Sequence, residues 1–172
     1  MPDTPDTLLA RLVSLGIEAR TVRHPPVFTV EESKALRPDL PGGHSKNLFL
    51  QPAKGEGPFL LAVLEEDRRV SLNALARAVG APRMGFGGAA DLLRHLGVEP
   101  GSVTPFGLVN AVPGTVRPVF DRGLMEGHPW VNFHPLTNTM TTAIRPADLL
   151  RFLRLLGHAP EVVEMPAAPP AG

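Results

Sequence analysis

Six consecutive apolar residues, Phe59–Leu64, constrain the fold of this chain more than any other stretch. A run this short, with glycine and proline directly before it and charged residues after it, predicts a β-strand. Because polar residues do not alternate with apolar ones, the strand is expected to be covered on both faces. The apolar segment Asn47–Gln51 predicts a neighbouring strand across a turn at Lys54–Pro58. The sequence therefore predicts a sheet with packed layers on each side.

The remaining periodic segments supply helices and further strands. Helices are expected where a capping residue precedes apolar positions three or four apart and glycine or proline follows: Thr4–Gly16, Thr29–Leu36, Ser71–Gly80, Ala89–Gly97 and Pro146–Gly157. Further strands are expected at Ile17–Arg23, Arg83–Phe86, Val116–Asp121, Trp130–Phe133 and Thr139–Ile144. Helices and strands mix without a regular βαβ rhythm. This predicts one α/β (α+β) domain with a mixed sheet over residues 1–165, and a disordered tail at 166–172.

Composition excludes several classes of function. Lys plus Arg and Asp plus Glu both number 17, so the chain lacks the basic excess of a strongly electrostatic nucleic-acid binder. A local basic patch or contact with one end of a nucleic acid stays open. The absence of cysteine removes disulfides, thiolate zinc sites and a cysteine nucleophile. With no basic leader and no apolar stretch near ~18 residues, we expect a soluble cytoplasmic protein that does not enter a membrane.

Lys46 stands where the polar stretch Pro41–Ser45 passes into an apolar strand. A lysine fixed at the mouth of a strand could hold a phosphate, a carboxylate or a developing oxyanion. Spacing alone favours the simpler interpretation, a solvated surface lysine. Ser45 and Asn47 beside it could donate hydrogen bonds or cap the turn.

Two other segments carry polar chemistry. The loop Gly101–Pro105 could present backbone N–H groups to a carbonyl or an anion, although glycine and proline also suit an ordinary loop. Residues 132–142 are dense in Asn and Thr, which β propensity also explains, and His134 could be an acid, a base, a donor or a structural residue. The histidines lack metal-ligand spacing, and no nucleotide-binding or catalytic-triad motif is complete, so we predict no metal or cofactor.

Taken in order, these segments resemble a known family. The carrying motifs are KNLFL, VSLNALARAVGAPRMGFG, GVEPGSVTPFGLVNA and VNFHPLTNTMTTAI, and the resemblance runs from about Val22 to Val163. They are similar to the YbaK/prolyl-tRNA synthetase-associated editing-domain family, and most of all to its free-standing prolyl-tRNA deacylase branch. The resemblance implies a curved mixed sheet flanked by helices. It also implies hydrolysis of the ester that joins alanine to mischarged tRNA(Pro), without a metal or a protein nucleophile.

The resemblance also implies roles for particular residues. Lys46 matches the lysine of the family, Gly101 and Pro105 match the ends of its G-x-x-x-P loop, and His134 and Asn138 match an H-P-x-x-N segment. Lys46, Gly101 and His134 are therefore predicted to be catalytic. The predicted substrate-binding residues are Ser45, Asn47, Ser102, Pro105, Asn138, Val27, Phe28 and Leu136.

Several alternatives stay open. The substrate could be another mischarged tRNA, such as Cys-tRNA(Pro) or Ser-tRNA, or the domain could bind aminoacyl-tRNA or a synthetase without catalysis. The expected partner is the acceptor end of tRNA(Pro), with prolyl-tRNA synthetase as an open second partner. Val30 is a further candidate pocket wall. Phosphate contacts could come from Arg68, Arg69, Arg83 and Arg145, for each of which solvated surface charge is the simpler interpretation.

Overall fold

A computed structural model describes residues 1–35 and 40–167 of the chain. Its strands are β1 (Ala19–Arg23), β2 (Gly43–Pro52), β3 (Phe59–Glu65), β4 (Met84–Phe86), β5 (Val116–Asp121), β6 (Val131–Phe133), β7 (Met140–Ile144) and β8 (Glu161–Val163). In these ranges the eight strands form one sheet in the order β1-β7-β6-β2-β3-β5-β8, with β4 also paired to β2. The pairs β2–β6, β3–β5 and β5–β8 are parallel and the others antiparallel, which confirms the predicted mixed sheet.

Helices cover the sheet. They are α1 (Pro5–Ser14), α2 (Val30–Lys34), α3 (Leu72–Ala78), α4 (Ala89–Leu96), α5 (Arg122–Gly127) and α6 (Pro146–Leu155), and a 3-10 helix spans Pro105–Asn110. The predicted caps are present: the Thr4 side chain accepts from the Thr7 N–H, and Ser71 accepts from the Ala74 N–H. Gly97 ends α4 in the left-handed conformation.

Strand β3 lies in the middle of the packing and is buried on both faces, as its apolar run predicts. Leu61 and Val63 belong to a core cluster with residues of α1, α4, α6 and the 3-10 helix. Leu60, Ala62 and Leu64 belong to a second cluster under α3. Burial of each leucine or valine side chain in this group contributes about 1.5–3 kcal/mol to the stability of the fold. Packing on both faces of β3 therefore stabilises the sheet.

Strand β2 begins earlier than expected, and this changes the position of Lys46. The prediction that the strand starts at Asn47, after a polar stretch, is wrong, because β2 already begins at Gly43. The Gly43 N–H donates to the Trp130 carbonyl at 2.8 Å, and Gly43 pairs in parallel with Val131. A Cβ at Gly43 would lie 2.6 Å from the His128 ring, so glycine allows close approach of β2 to its neighbours. Lys46 therefore lies inside the strand.

The buried end of β5 is fixed by a charge pair. Asp121 is fully buried and accepts two hydrogen bonds from Arg68, at 2.9 and 3.1 Å. The N–H groups of Glu65 and Gly123 donate to the same carboxylate. Arg68 is thus committed to the fold, which argues against its candidacy as a phosphate contact.

The sequence reasoning missed three elements: the 3-10 helix, α5 and β8. Each is short and held by tertiary contacts, such as the parallel pairing of β8 with β5. The expected end of the second helix at Leu36 and the last five residues of the expected tail lie outside the described residues. In the described part of the chain, no helix is both long and apolar enough to cross a membrane.

Candidate functional site

A pocket of about 240 Å³ opens at the junction of β2, β6 and β7. Segments distant in the sequence form its wall: the residues before α2, the first half of β2, the loop after α4, and the β6–β7 region. The lining residues are Val27, Phe28, Thr29, His44, Ser45, Lys46, Asn47, Glu66, Gly101, Val103, Asn132, Phe133, His134 and Thr141. Seven of the residues predicted from the sequence therefore share one cavity.

Lys46 is half-buried in β2, opposite Leu64 of β3, and lines the pocket. Its neighbour Asn47 donates from Nδ2 to the Val103 carbonyl at 3.0 Å. Ser45 donates from its hydroxyl to Asn47 Oδ1 at 3.3 Å. This chain of hydrogen bonds ties the strand that carries Lys46 to the loop Gly101–Pro105, and so fixes the two facing walls of the pocket relative to each other.

Gly101 stands at a close approach between this loop and the segment before α2. Its φ is +93°, a conformation that favours glycine. A Cβ at this position would lie 3.2 Å from Cδ1 of Phe28, whose side chain is 70% exposed at the pocket. Glycine thus suits the backbone turn, and a side chain here would press against Phe28.

His134 is held by a backbone hydrogen bond, and its buried position lowers its pKa. Its Nδ1 lies 2.9 Å from the Met140 carbonyl, which can only accept, so Nδ1 carries the proton and Nε2 is the acceptor of the neutral ring. Burial lowers the pKa of His134 from its ordinary 6.5, more than the Met140 hydrogen bond raises it, and His24 lowers it further. Near neutral pH this residue is therefore a hydrogen-bond acceptor or base and a poor acid.

A second histidine supports the pocket from behind. His24 Nδ1 lies 2.8 Å from the Pro25 carbonyl, and its Nε2 lies 2.8 Å from the Thr141 hydroxyl. The His24 and His134 rings are 6.2 Å apart between centroids.

Asn132 donates to the carbonyls of Pro41 and Gly43, at 3.0 and 3.1 Å, which holds the start of β2 in place.

Sequence reasoning missed some of the lining residues. His44, Glu66 and Thr141 contribute to the wall, and Lys46 and Glu66 bring opposite charges to it. Only the Thr- and Asn-rich composition of residues 132–142 pointed toward Thr141 and Asn132. Nothing local marks His44 or Glu66, because they reach the pocket through strand pairing.

Four of the predicted substrate-binding residues do not line the pocket. Ser102 is buried and Pro105 begins the buried 3-10 helix. Leu136 packs in the core cluster with a positive φ of 67°. Asn138 donates from Nδ2 to the Val27 carbonyl at 3.2 Å, so it positions a pocket wall from behind. These four support the site through packing and hydrogen bonds.

The donor set suits a polar organic ligand. Among the described residues, no group of three His, Cys, Asp or Glu side chains is arranged to hold a metal ion. The wall combines an ammonium group, a carboxylate, a neutral imidazole, hydroxyls and the backbone of a glycine turn. Such groups can bind a charged substrate end and stabilise an oxyanion.

A known protein family covers the segment of the chain that forms the pocket. The profile of the aminoacyl-tRNA editing domain matches residues 24–152, which include every residue of the pocket wall. The chain belongs to the aminoacyl-tRNA editing domain family.

Relatives and solved structures cover nearly the whole chain. The "Prolyl-tRNA synthetase associated domain-containing protein 1" of Bos taurus is 42% identical over 156 residues, covering 89% of this chain and 90% of the relative. The "Prolyl-tRNA editing protein ProX" of Acetoanaerobium sticklandii is 30% identical over 163 residues, covering 95% and 98%. A crystal structure described as a candidate trans-editing enzyme for prolyl-tRNA synthetase superposes with a TM-score of 0.68 at 20% identity, covering 96% and 100%. At that identity the match shows only that the two chains share a fold.

Proposed function

We propose that this editing domain deacylates mischarged tRNA(Pro), above all Ala-tRNA(Pro), in the pocket around Lys46. The observation that carries the proposal is the convergence of Lys46, Gly101 and His134 on one small cavity. The name of the bacterial relative, a prolyl-tRNA editing protein, and the family match support the same class of reaction.

In the proposed reaction, water attacks the ester carbonyl carbon, and the bond between that carbon and the ribose oxygen breaks. The released alanine takes the hydroxyl group, and the proton reaches the ribose oxygen by way of the vicinal ribose hydroxyl. No strong protein base is then required. His134 Nε2, the acceptor of a neutral ring, is suited to orient the attacking water.

Lys46 and the glycine turn would act on the charge that develops. The Lys46 ammonium would hold the terminal adenosine phosphate or the reacting end of the ester. The N–H groups of Gly101 and Val103, two residues of the pocket wall, would bind the aminoacyl carbonyl. The Ser102 N–H is committed to the Glu99 carbonyl at 3.0 Å. Each such donor is worth about 2.7–4 kcal/mol of transition-state stabilisation.

The size of the cavity fits the proposed substrate. A volume of about 240 Å³ is below the roughly 300–1,000 Å³ of most ligand sites, and it suits the aminoacyl end of a tRNA. Val27, Phe28 and Phe133 supply apolar wall. Proline is spared by clash with this wall, since contacts alone discriminate a single methylene by only ~1–3 kcal/mol.

The test is deacylation by the wild-type protein of Ala-tRNA(Pro), Pro-tRNA(Pro) and Ala-tRNA(Ala). The proposal expects fast hydrolysis of the first and slow hydrolysis of the others. Faster hydrolysis of Cys-tRNA(Pro) or a Ser-tRNA would show the same deacylation reaction with a different mischarged tRNA as the preferred substrate. The Bos taurus relative is named for association with prolyl-tRNA synthetase, which favours a non-catalytic module as the second candidate. Binding of tRNA without any deacylation would establish that candidate and refute the proposal.

A further inference from the structure

Two arginines and the single tryptophan of the chain form a cluster beside the pocket. The guanidinium carbons of Arg20 and Arg145 lie 4.4 and 4.5 Å from the ring centroid of Trp130. Cation–π contact at this distance orients each guanidinium group without consuming its N–H donors. We call Arg20, Trp130 and Arg145 the arginine–tryptophan cluster.

Strand register places this cluster on the same face of the sheet as the pocket. Ala143 of β7 pairs with Arg20 of β1 on one side and with Asn132 of β6 on the other. Asn132 in turn pairs with His44 of β2, and both of these residues line the pocket. Residues in register across neighbouring strands point to the same face. One row of side chains therefore runs from Arg20 to the pocket wall.

Trp130 continues this face, and Arg145 lies against its ring. Trp130 lies two residues before Asn132, and its carbonyl still accepts from Gly43 in the ladder, so its side chain points the same way. At about 3.3 Å per residue, Trp130 is roughly 7 Å along the strand from a pocket residue. Arg20, two strands away from Asn132, is about 10 Å distant. The cluster thus lies within about 10 Å of the pocket wall.

The arginines keep donors available for another group. Their side chains are 65% and 49% exposed, and both pair with Glu18, at 3.6 and 3.5 Å. These separations are long compared with the roughly 2.7–2.9 Å of strong charge-assisted bonds, and exposed pairs of this kind contribute little. Each guanidinium has five donors in a planar fork that matches a phosphate. The two arginines and Glu18 together leave one net positive charge.

We propose that the arginine–tryptophan cluster binds the sugar–phosphate backbone of the tRNA acceptor stem while the 3′ end occupies the pocket. This inference rests on the proposed function, because it assumes that tRNA is the substrate. It explains how a chain with no net charge can hold a polyanion: the contact is local and lies next to the site. Because phosphate carries no sequence information, the cluster would contribute to affinity for any tRNA.

The test is the affinity for uncharged tRNA(Pro), measured by fluorescence anisotropy over a range of salt concentrations. The double variant Arg20→Gln/Arg145→Gln is compared with Arg77→Gln/Arg154→Gln, which removes the same charge from exposed positions on α3 and α6. We expect the first pair to bind several-fold more weakly and to lower the slope of log affinity against log salt by about 2. The control pair should behave as wild type.

Two further measurements make the result specific. Glu18→Gln removes the competing carboxylate and should tighten binding. Trp130 is the only tryptophan, and the chain has no tyrosine, so its emission reports the cluster directly. Addition of tRNA should shift that emission in the wild type and in the control pair.

The outcomes separate the two proposals. Equal affinity and equal salt slope of the two double variants would overturn the phosphate-binding role, even if the wild type deacylates Ala-tRNA(Pro). An equal loss of affinity for tRNA(Ala) in the first pair supports backbone contact, whereas a loss confined to tRNA(Pro) would refute it. A wild-type protein that deacylates none of the charged tRNAs would refute the proposed function alone if the cluster still binds tRNA.

Discussion

Replacement of Gly101 by alanine tests whether the turn at this residue contributes to deacylation in the pocket or only to the stability of the fold. The φ of +93° would force alanine into the left-handed region, which costs about 1–2 kcal/mol. The new methyl group would stand 3.2 Å from Phe28. Because the Phe28 side chain is largely exposed, it can move aside, so the contact adds little to the loss of stability.

The chain contains a matched control for the loss of stability caused by placing alanine at a positive φ. Gly114 has a φ of +92°, and a Cβ there would meet nothing within 4 Å. Gly114→Ala should therefore lose the same 1–2 kcal/mol or so, about 2–8 °C in Tm for a domain of this size, and leave the pocket unchanged. Gly101→Ala should match it in urea unfolding within about 0.5 kcal/mol.

The two variants should differ in deacylation. A methyl group at Gly101 displaces Phe28 and shifts the turn that faces Lys46, and a misplacement near 1 Å can reduce rates by roughly 100-fold. We expect Gly101→Ala to lose about 10- to 100-fold in the single-turnover rate on Ala-tRNA(Pro), with Gly114→Ala near wild type. Equal rates for the two variants would refute the assignment of this turn to the reacting end. Unequal stabilities would refute the strain argument.

Two other predictions concern charge. Since folding lowers the pKa of His134, the stability that depends on its neutral form is full above pH 6.5 and is lost as the pH falls toward the lowered value. His134→Gln should flatten this acid limb in urea unfolding between neutral pH and pH 5, and an unchanged limb would contradict the burial argument. Asp121→Ala leaves Arg68 and two backbone N–H groups without their buried acceptor and should destabilise the fold by about 3–5 kcal/mol, seen as a lower urea midpoint. Arg122→Ala, which removes only long exposed ion pairs, should change stability by less than about 1 kcal/mol, and a similar loss in both variants would refute the special status of Asp121.

Local sequence patterns predicted the helices and strands whose formation depends on nearby residues, such as apolar runs and helix caps. The apolar run Phe59–Leu64 required two packed faces, and the caps at Thr4 and Ser71 required helix starts. The start of β2 was not predictable in this way. Gly42 and Gly43 look like a flexible loop, and only the pairing of Gly43 with β6, nearly ninety residues later, makes Gly43 the first residue of a strand.

The pocket, like the start of β2, depends on tertiary contacts that local sequence patterns do not show. Its walls come from segments far apart in the chain, so spacing alone could not bring Lys46, Gly101 and His134 together. Their joint prediction came from the family resemblance. Leu136 and Pro105 were predicted to touch substrate, but their places in the core and at the start of a helix depend on packing that a single sequence does not display. The catalytic roles themselves stay predictions.

The most direct measurement is the single-turnover rate of Ala-tRNA(Pro) deacylation by Lys46→Ala. Lys54→Ala, at an exposed turn between β2 and β3, is the matched control. Loss of one electrostatic contact to the transition state predicts a decrease of about 100- to 1,000-fold for Lys46→Ala, with its Tm and circular dichroism retained and Lys54→Ala as fast as wild type. A folded Lys46→Ala protein that deacylates at the wild-type rate would contradict the account.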